Sequence, residues 1–173
     1  WVFIELDSTM KARKAEALPH KKREVVRRYV AVDIENINGG SVRDTRRADE
    51  AFQAVAAAVQ LADGEQVVIG VGPSSLLASA VVRPSARMVM GRGINGADHA
   101  LIEVLSEERM PQRFNAVVIA SGDGIFASVA ADLAAAGLEV TVVAREGHLS
   151  ARLRLAAQRV VLLLDAPSLG EAA

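Results

Sequence analysis

Short, almost wholly apolar runs alternate with longer Ala-rich stretches, and this alternation constrains the fold more than any other feature of the chain. The apolar runs are YVAVDI at 29–34, QVVIGV at 66–71, ARMVM at 86–90, NAVVIA at 115–120 and EVTVVA at 139–144, with a last one at 160–164. Runs such as VVIA and VVIG have no polar face, as expected of parallel strands covered by helices on both sides. The stretches between them predict helices over Asp49–Ala62, Ser74–Val82, Ala97–Glu108, Gly124–Ala136 and Ser150–Gln158. Gly64, Pro84 and Gly137 stand where three of them should stop. Strand and helix in turn imply βαβ units with right-handed crossovers, hence an α/β domain with a mainly parallel sheet.

A chain of 173 residues is long enough for one such domain with a sizeable core. Aromatic residues make up only 3% of it, so Val, Ala, Leu and Ile must fill the interior. The Ala and Val faces of the helices suit either that core or a homodimer interface. There is no cysteine, which excludes disulfides, thiolate zinc sites and cysteine nucleophiles and fits a reducing compartment. No apolar run approaches the roughly 20 residues that span a bilayer. WVFIELDS is too short and acidic for a signal peptide, so a cytoplasmic protein without membrane partners is expected. The first residue is Trp, which leaves open whether residues 1–9, ahead of Met10, are native.

The net charge is −1, so only the distribution of charge can speak for a polyanionic partner. Lys11–Arg28, KARKAEALPHKKREVVRR, is the one concentrated basic stretch, with Pro19 dividing it into two short helical pieces. It reads either as a solvated extension or as an arm that contacts phosphates through residues such as Lys21, Lys22 and Arg23. The expected organisation is therefore a basic extension over 1–28, the domain over 29–165 and a tail over 166–173.

The carboxylates are best placed against the rule that open parallel sheets bind ligands beyond the carboxyl ends of their strands. Asp33 ends the first strand, Asp123 follows NAVVIA directly, and Asp98 opens a helix. Asp98 and Asp123 can be explained as helix caps alone. Asp33 cannot be dismissed so easily, because an ionised carboxylate inside an apolar strand is costly unless paired or bound to a metal. The three on one edge suit Mg2+ or Mn2+, which favour hard oxygen ligands and relieve repulsion between carboxylates. Glu35 either joins that cluster or faces solvent. Asn36 is placed to orient a ligand or bond a phosphate. Ser121 can bond a phosphate, bond a carboxylate of the cluster, or simply form a Ser-Gly turn.

VDIEN at 32–36, NGADHAL at 95–101, and SGDGIF at 121–126 followed by a helix and GLEVTVVA together resemble the NYN domain, a branch of the PIN-like ribonuclease superfamily. The resemblance runs from about Tyr29 to Leu164. It implies a Rossmann-like three-layer α/β/α sandwich and metal-dependent cleavage of RNA, single-stranded or structured. It also implies that Asp33, Asp98 and Asp123 are the acidic residues and Asn36 the characteristic Asn. The family commonly carries a further Asp two residues after the one matching Asp123; here Ile125 stands there, which implies a smaller metal cluster or one completed by Glu35.

Two functions of different class follow. One is a metal-dependent ribonuclease, with Arg43, Arg46, Arg47 and Arg92 beside the basic stretch on the RNA backbone. The other is a catalytically degenerate module that binds RNA or a protein partner. Tyr29 and Phe52 are expected in the core, and Phe126 is open between core and base-stacking platform. A phosphatase would need a second Asp two residues after Asp33, and Glu35 stands there. No P-loop or dinucleotide fingerprint is present.

Overall fold

The computed structural model describes residues 2–7 and 27–164. In chain order the strands and helices are β1 (Val2–Asp7), β2 (Arg28–Asp33), α1 (Ile34–Asn38), α2 (Thr45–Ala58), β3 (Gln66–Val71), α3 (Leu76–Ala80) and β4 (Arg87–Met90). They continue as α4 (Gly96–Glu107), α5 (Met110–Arg113), β5 (Ala116–Ala120), α6 (Ala127–Ala135), β6 (Glu139–Arg145), α7 (Ala151–Ala156) and β7 (Arg159–Leu164).

The strands form one sheet in the order β1-β7-β6-β5-β2-β3-β4. From β2 to β7 every pairing is parallel, and β1 closes one edge antiparallel to β7, from Val2 opposite Leu164 to Asp7 opposite Arg159. The chain starts its parallel part in the middle, moves outward through β3 and β4, then returns to lay β5 on the other side of β2. Strand order reverses between β2 and β5, and there the crossovers leave a crevice at the carboxyl ends.

Both faces of the sheet are buried, as the unbroken apolar runs require. Tyr29 and Ala31 of β2 pack with Val117 and Ile119 of β5 under α4 and α6, while Val30 and Val32 point to the opposite core beneath α1 and α2. The small faces of the helices form these cores: Ala48, Ala51 and Ala54 of α2 and Ala127 and Ala130 of α6 are all buried. Phe126 is fully buried as well, so it belongs to the core with Tyr29 and Phe52.

Departures from the expected elements sit at their ends. The first strand stops at Asp33, and Ile34 already belongs to α1, a five-residue helix ended by Gly39 at φ 81°. So short a helix leaves no periodicity to read. The next helix begins at Thr45, four residues before Asp49, because Asp44 caps it by accepting the N–H of Arg46 at 2.9 Å. Gly124–Phe126 is a 3-10 turn leading into α6. Residues 2–7, expected outside the domain, are strand β1.

Candidate active site

The reversal point is stitched together by side chains from both strands. Asp33 is the last residue of β2 and the cap of α1; its Oδ1 accepts the N–H of Asn36 at 3.1 Å. Its Oδ2 accepts a hydrogen bond from Ser121 Oγ at 3.0 Å, just beyond β5. Ser121 is fully buried, and the same oxygen accepts the N–H of Asp123 at 3.2 Å. Its hydroxyl therefore bonds a carboxylate of the cluster rather than a phosphate. Asn36 crosses the same seam, with Oδ1 accepting the N–H of Gly122 at 2.9 Å. One of its polar atoms is thus committed to holding the two strand ends together.

Asp98 arrives from the other side, in the first turn of α4. It does not cap that helix: Asn95 holds the cap position, in the left-handed region at φ 55°. Asp123, exposed, does cap, its Oδ1 accepting the N–H of Ile125 at 2.9 Å. Capping and membership of the cluster thus coexist in Asp33 and Asp123.

Burial is the main reason that the Asp33 carboxyl is pushed up to about 7, with the charge of Asp98 second. The hydrogen bonds from Asn36 and Ser121 act against that shift without cancelling it. Asp98 is also raised, first by its own burial and then by the charges of Asp123 and Glu35, against its bond to Asp33 and the neighbouring His99. Two carboxyls this close share a proton when nothing else neutralises them.

These residues open onto a cleft of about 420 Å3 lined by Asp33, Glu35, Asn36, Asp98, Asp123, Arg145 and His148, with several glycines. Arg145 and His148 carry no signal in the sequence, since one ends β6 and the other stands in the turn after it, and that strand looks like any other. The Gly39–Gly40 pair was the one hint. A Cβ on Gly39 would fall 2.3 Å from Arg145 Nη1, so that glycine both turns the chain and leaves room for the guanidinium. Among the described residues, no Phe, Tyr or Trp lines the cleft.

The basic residues are less gathered than the acids. Arg92 is exposed in the loop whose Gly91, Gly93 and Asn95 line the cleft. Arg43, Arg46 and Arg47 are exposed but outside the lining, and Arg46 pairs with Glu50 at 3.1 Å. Arg28 begins β2, at the end remote from Asp33, and is held by both oxygens of Glu65 at 2.7 and 2.6 Å. That removes it from any phosphate-contacting arm. Lys21, Lys22 and Arg23 lie outside the described residues.

Among the described residues, no three carboxylate or imidazole side chains are already grouped as a metal cage. The expected trio shares one cleft without closing on a common point, and burial favours the protonated form of both Asp33 and Asp98. The donor chemistry fits a hard divalent cation, which would displace that proton and bind the same oxygens. Ile125 contributes nothing to it; the side chain is partly buried and packs against the core.

A crystal structure of a protein of unknown function from Vibrio parahaemolyticus has the same fold, with a TM-score of 0.55 at 14% identity over 86% of this chain and 98% of that one. No curated protein sequence matches significantly. The NYN domain matches residues 21–164, a span that contains β2 to β7 and every lining residue of the cleft. By that match and by its parallel sheet with carboxylates at the reversal point, the chain belongs to the NYN domain family, with the PIN-like nuclease fold.

Proposed function

We propose that the protein is a ribonuclease that hydrolyses RNA phosphodiester bonds with Mg2+ or Mn2+ held by Asp33, Asp98 and Asp123. The observation that supports this best is the meeting of these carboxylates in one open cleft at the reversal point of a NYN-family sheet. When bound, the metal would polarise a phosphate oxygen and make a bound water more acidic. The protein's own residues do the rest. Asn36 and Ser121 tie the ends of β2 and β5 together, so that Asp33 and Asp123 open onto the same cleft. Arg92 and Arg145 supply positive charge beside the acids, and Arg43, Arg46, Arg47, Lys21, Lys22 and Arg23 are candidates for more distant phosphates. With no aromatic ring in the lining among the described residues, recognition falls on phosphate and sugar, and sequence preference is expected to be weak.

Ile125 favours a second reading, a degenerate module that binds RNA without cutting it, because an apolar side chain takes a position where the family commonly has an acid. Labelled single-stranded and structured RNA, incubated with Mg2+, Mn2+ or chelator beside Asp33→Asn, Asp98→Asn and Asp123→Asn, separates the two. The nuclease reading expects cleavage that requires metal and is lost in all three variants. RNA binding without cleavage in either metal, unchanged by the substitutions, would leave the binding module.

A further inference from the structure

Glu35 lies two residues after Asp33 and lines the same cleft, yet its position is set from outside that cleft. Ser75, just ahead of α3 and fully buried, donates its only hydroxyl proton to Glu35 Oε1. Ser75 Oγ in turn accepts the N–H of Val42 at 2.9 Å. Both sides of the hydroxyl are therefore engaged, and it cannot rotate away from the carboxylate without leaving a buried group unpaired. Gly72 completes the seat. A Cβ there would come 3.0 Å from Glu35 Oε1 and 3.4 Å from Oε2, closer than the carboxylate tolerates without moving.

We propose that Glu35 is the fourth carboxylate of the cleft and that Ser75 is the positioning residue that holds it there. This rests on the metal-dependent reading above and deepens it. The acid that the family commonly carries after the second strand end is missing at Ile125; here a carboxylate from the first strand end stands in the same cleft. The sequence concealed the arrangement because Ser75 is 40 residues from its partner. A metal ligand held by a buried hydrogen bond loses about ten-fold or more in affinity when that bond goes.

The test uses Mn2+ alone as probe and reads affinity from the rise in unfolding temperature with Mn2+, each variant against its own chelator baseline. Glu35→Gln and Ser75→Ala are each expected to weaken Mn2+ binding about ten-fold, and the double variant to be no weaker than Glu35→Gln. The baseline absorbs any stability that Ser75→Ala loses at Val42. If Ser75→Ala does not fold, Gly72→Ala decides, since its Cβ pushes the Glu35 carboxylate by a few tenths of an ångström while leaving Ser75 intact, and a weakening in the same direction beyond two-fold is expected. Affinity within about two-fold of wild type in Ser75→Ala or Glu35→Gln, or a double variant whose losses multiply, would overturn the proposal. If Asp33→Asn abolishes the Mn2+ response while Ser75→Ala and Gly72→Ala leave it intact, only this proposal falls. If the wild type shows no response, the metal reading falls with it.

Discussion

Asp33 ends a strand, caps a helix, accepts a bond from Ser121 and faces Asp98, all with 4% of its surface exposed. The carboxyl that results stands at about 7, against an ordinary 3.8. Between those values the folded protein keeps a proton that the unfolded chain has released. This group's contribution to stability is therefore complete below about pH 4 and is lost as pH rises through about 7. In chelator, the unfolding temperature is expected to be several degrees lower near pH 8 than near pH 5, and Asp33→Asn to flatten that difference. An unchanged pH slope in Asp33→Asn would show that another group sets it. Asn36→Ala belongs to the same scale. It removes the acceptor of the Gly122 N–H and is expected to cost about 1–3 kcal/mol in denaturant unfolding.

Among the elements, α4 matters most, because Asp98 travels with it. The helix packs over β3 and β4, and its approach depends on Gly70 in β3. A Cβ on Gly70 would lie 2.5 Å from Leu101 Cδ1 and 3.1 Å from the carbonyl oxygen of Ala97, next to Asp98. Gly70→Ala is expected to lower stability by about 1–3 kcal/mol through overpacking and to weaken the Mn2+ response by lifting Asp98 from Asp33. Ile125→Asp probes the turn between β5 and α6. Restoring the family's acid removes apolar packing against the core, so chemical denaturation should reveal a loss of about 1–3 kcal/mol.

For the whole molecule, the seven-stranded sheet has two edges, β4 and β1. β1 covers the outer side of β7, and without it a row of backbone donors and acceptors would face solvent. Deleting residues 1–9 is expected to promote self-association, seen as larger species by light scattering, whereas a monodisperse truncated protein would show that β7 needs no cover. The opposing ends of β2 divide the molecule electrostatically. Arg28 is neutralised by Glu65 at one end, while Asp33 gathers its acids at the other. On the ribonuclease reading proposed above, RNA would reach this carboxylate cleft past peripheral arginines.

Much of this was legible before any tertiary information. The strands at 66–71, 115–120 and 139–144 were readable to within a residue, because a strand buried on both faces has to be apolar throughout. Asp33 and Asp123 were legible for the same reason: a charge against such a run stands out. Neighbours in space but not in sequence were beyond reach. Arg145 ends an ordinary strand, His148 and Ser75 stand next to ordinary elements, and α1 is too short to have a period. The sequence by itself determined the alternation of strand and helix and the placing of acids at strand ends, since local burial and periodicity are written residue by residue. Only the tertiary structure decided that β5 returns beside β2, that α4 descends onto Gly70, and that Asp33 and Asp98 line one cleft. Those depend on distances between elements, and such distances exist only once the chain has closed on itself.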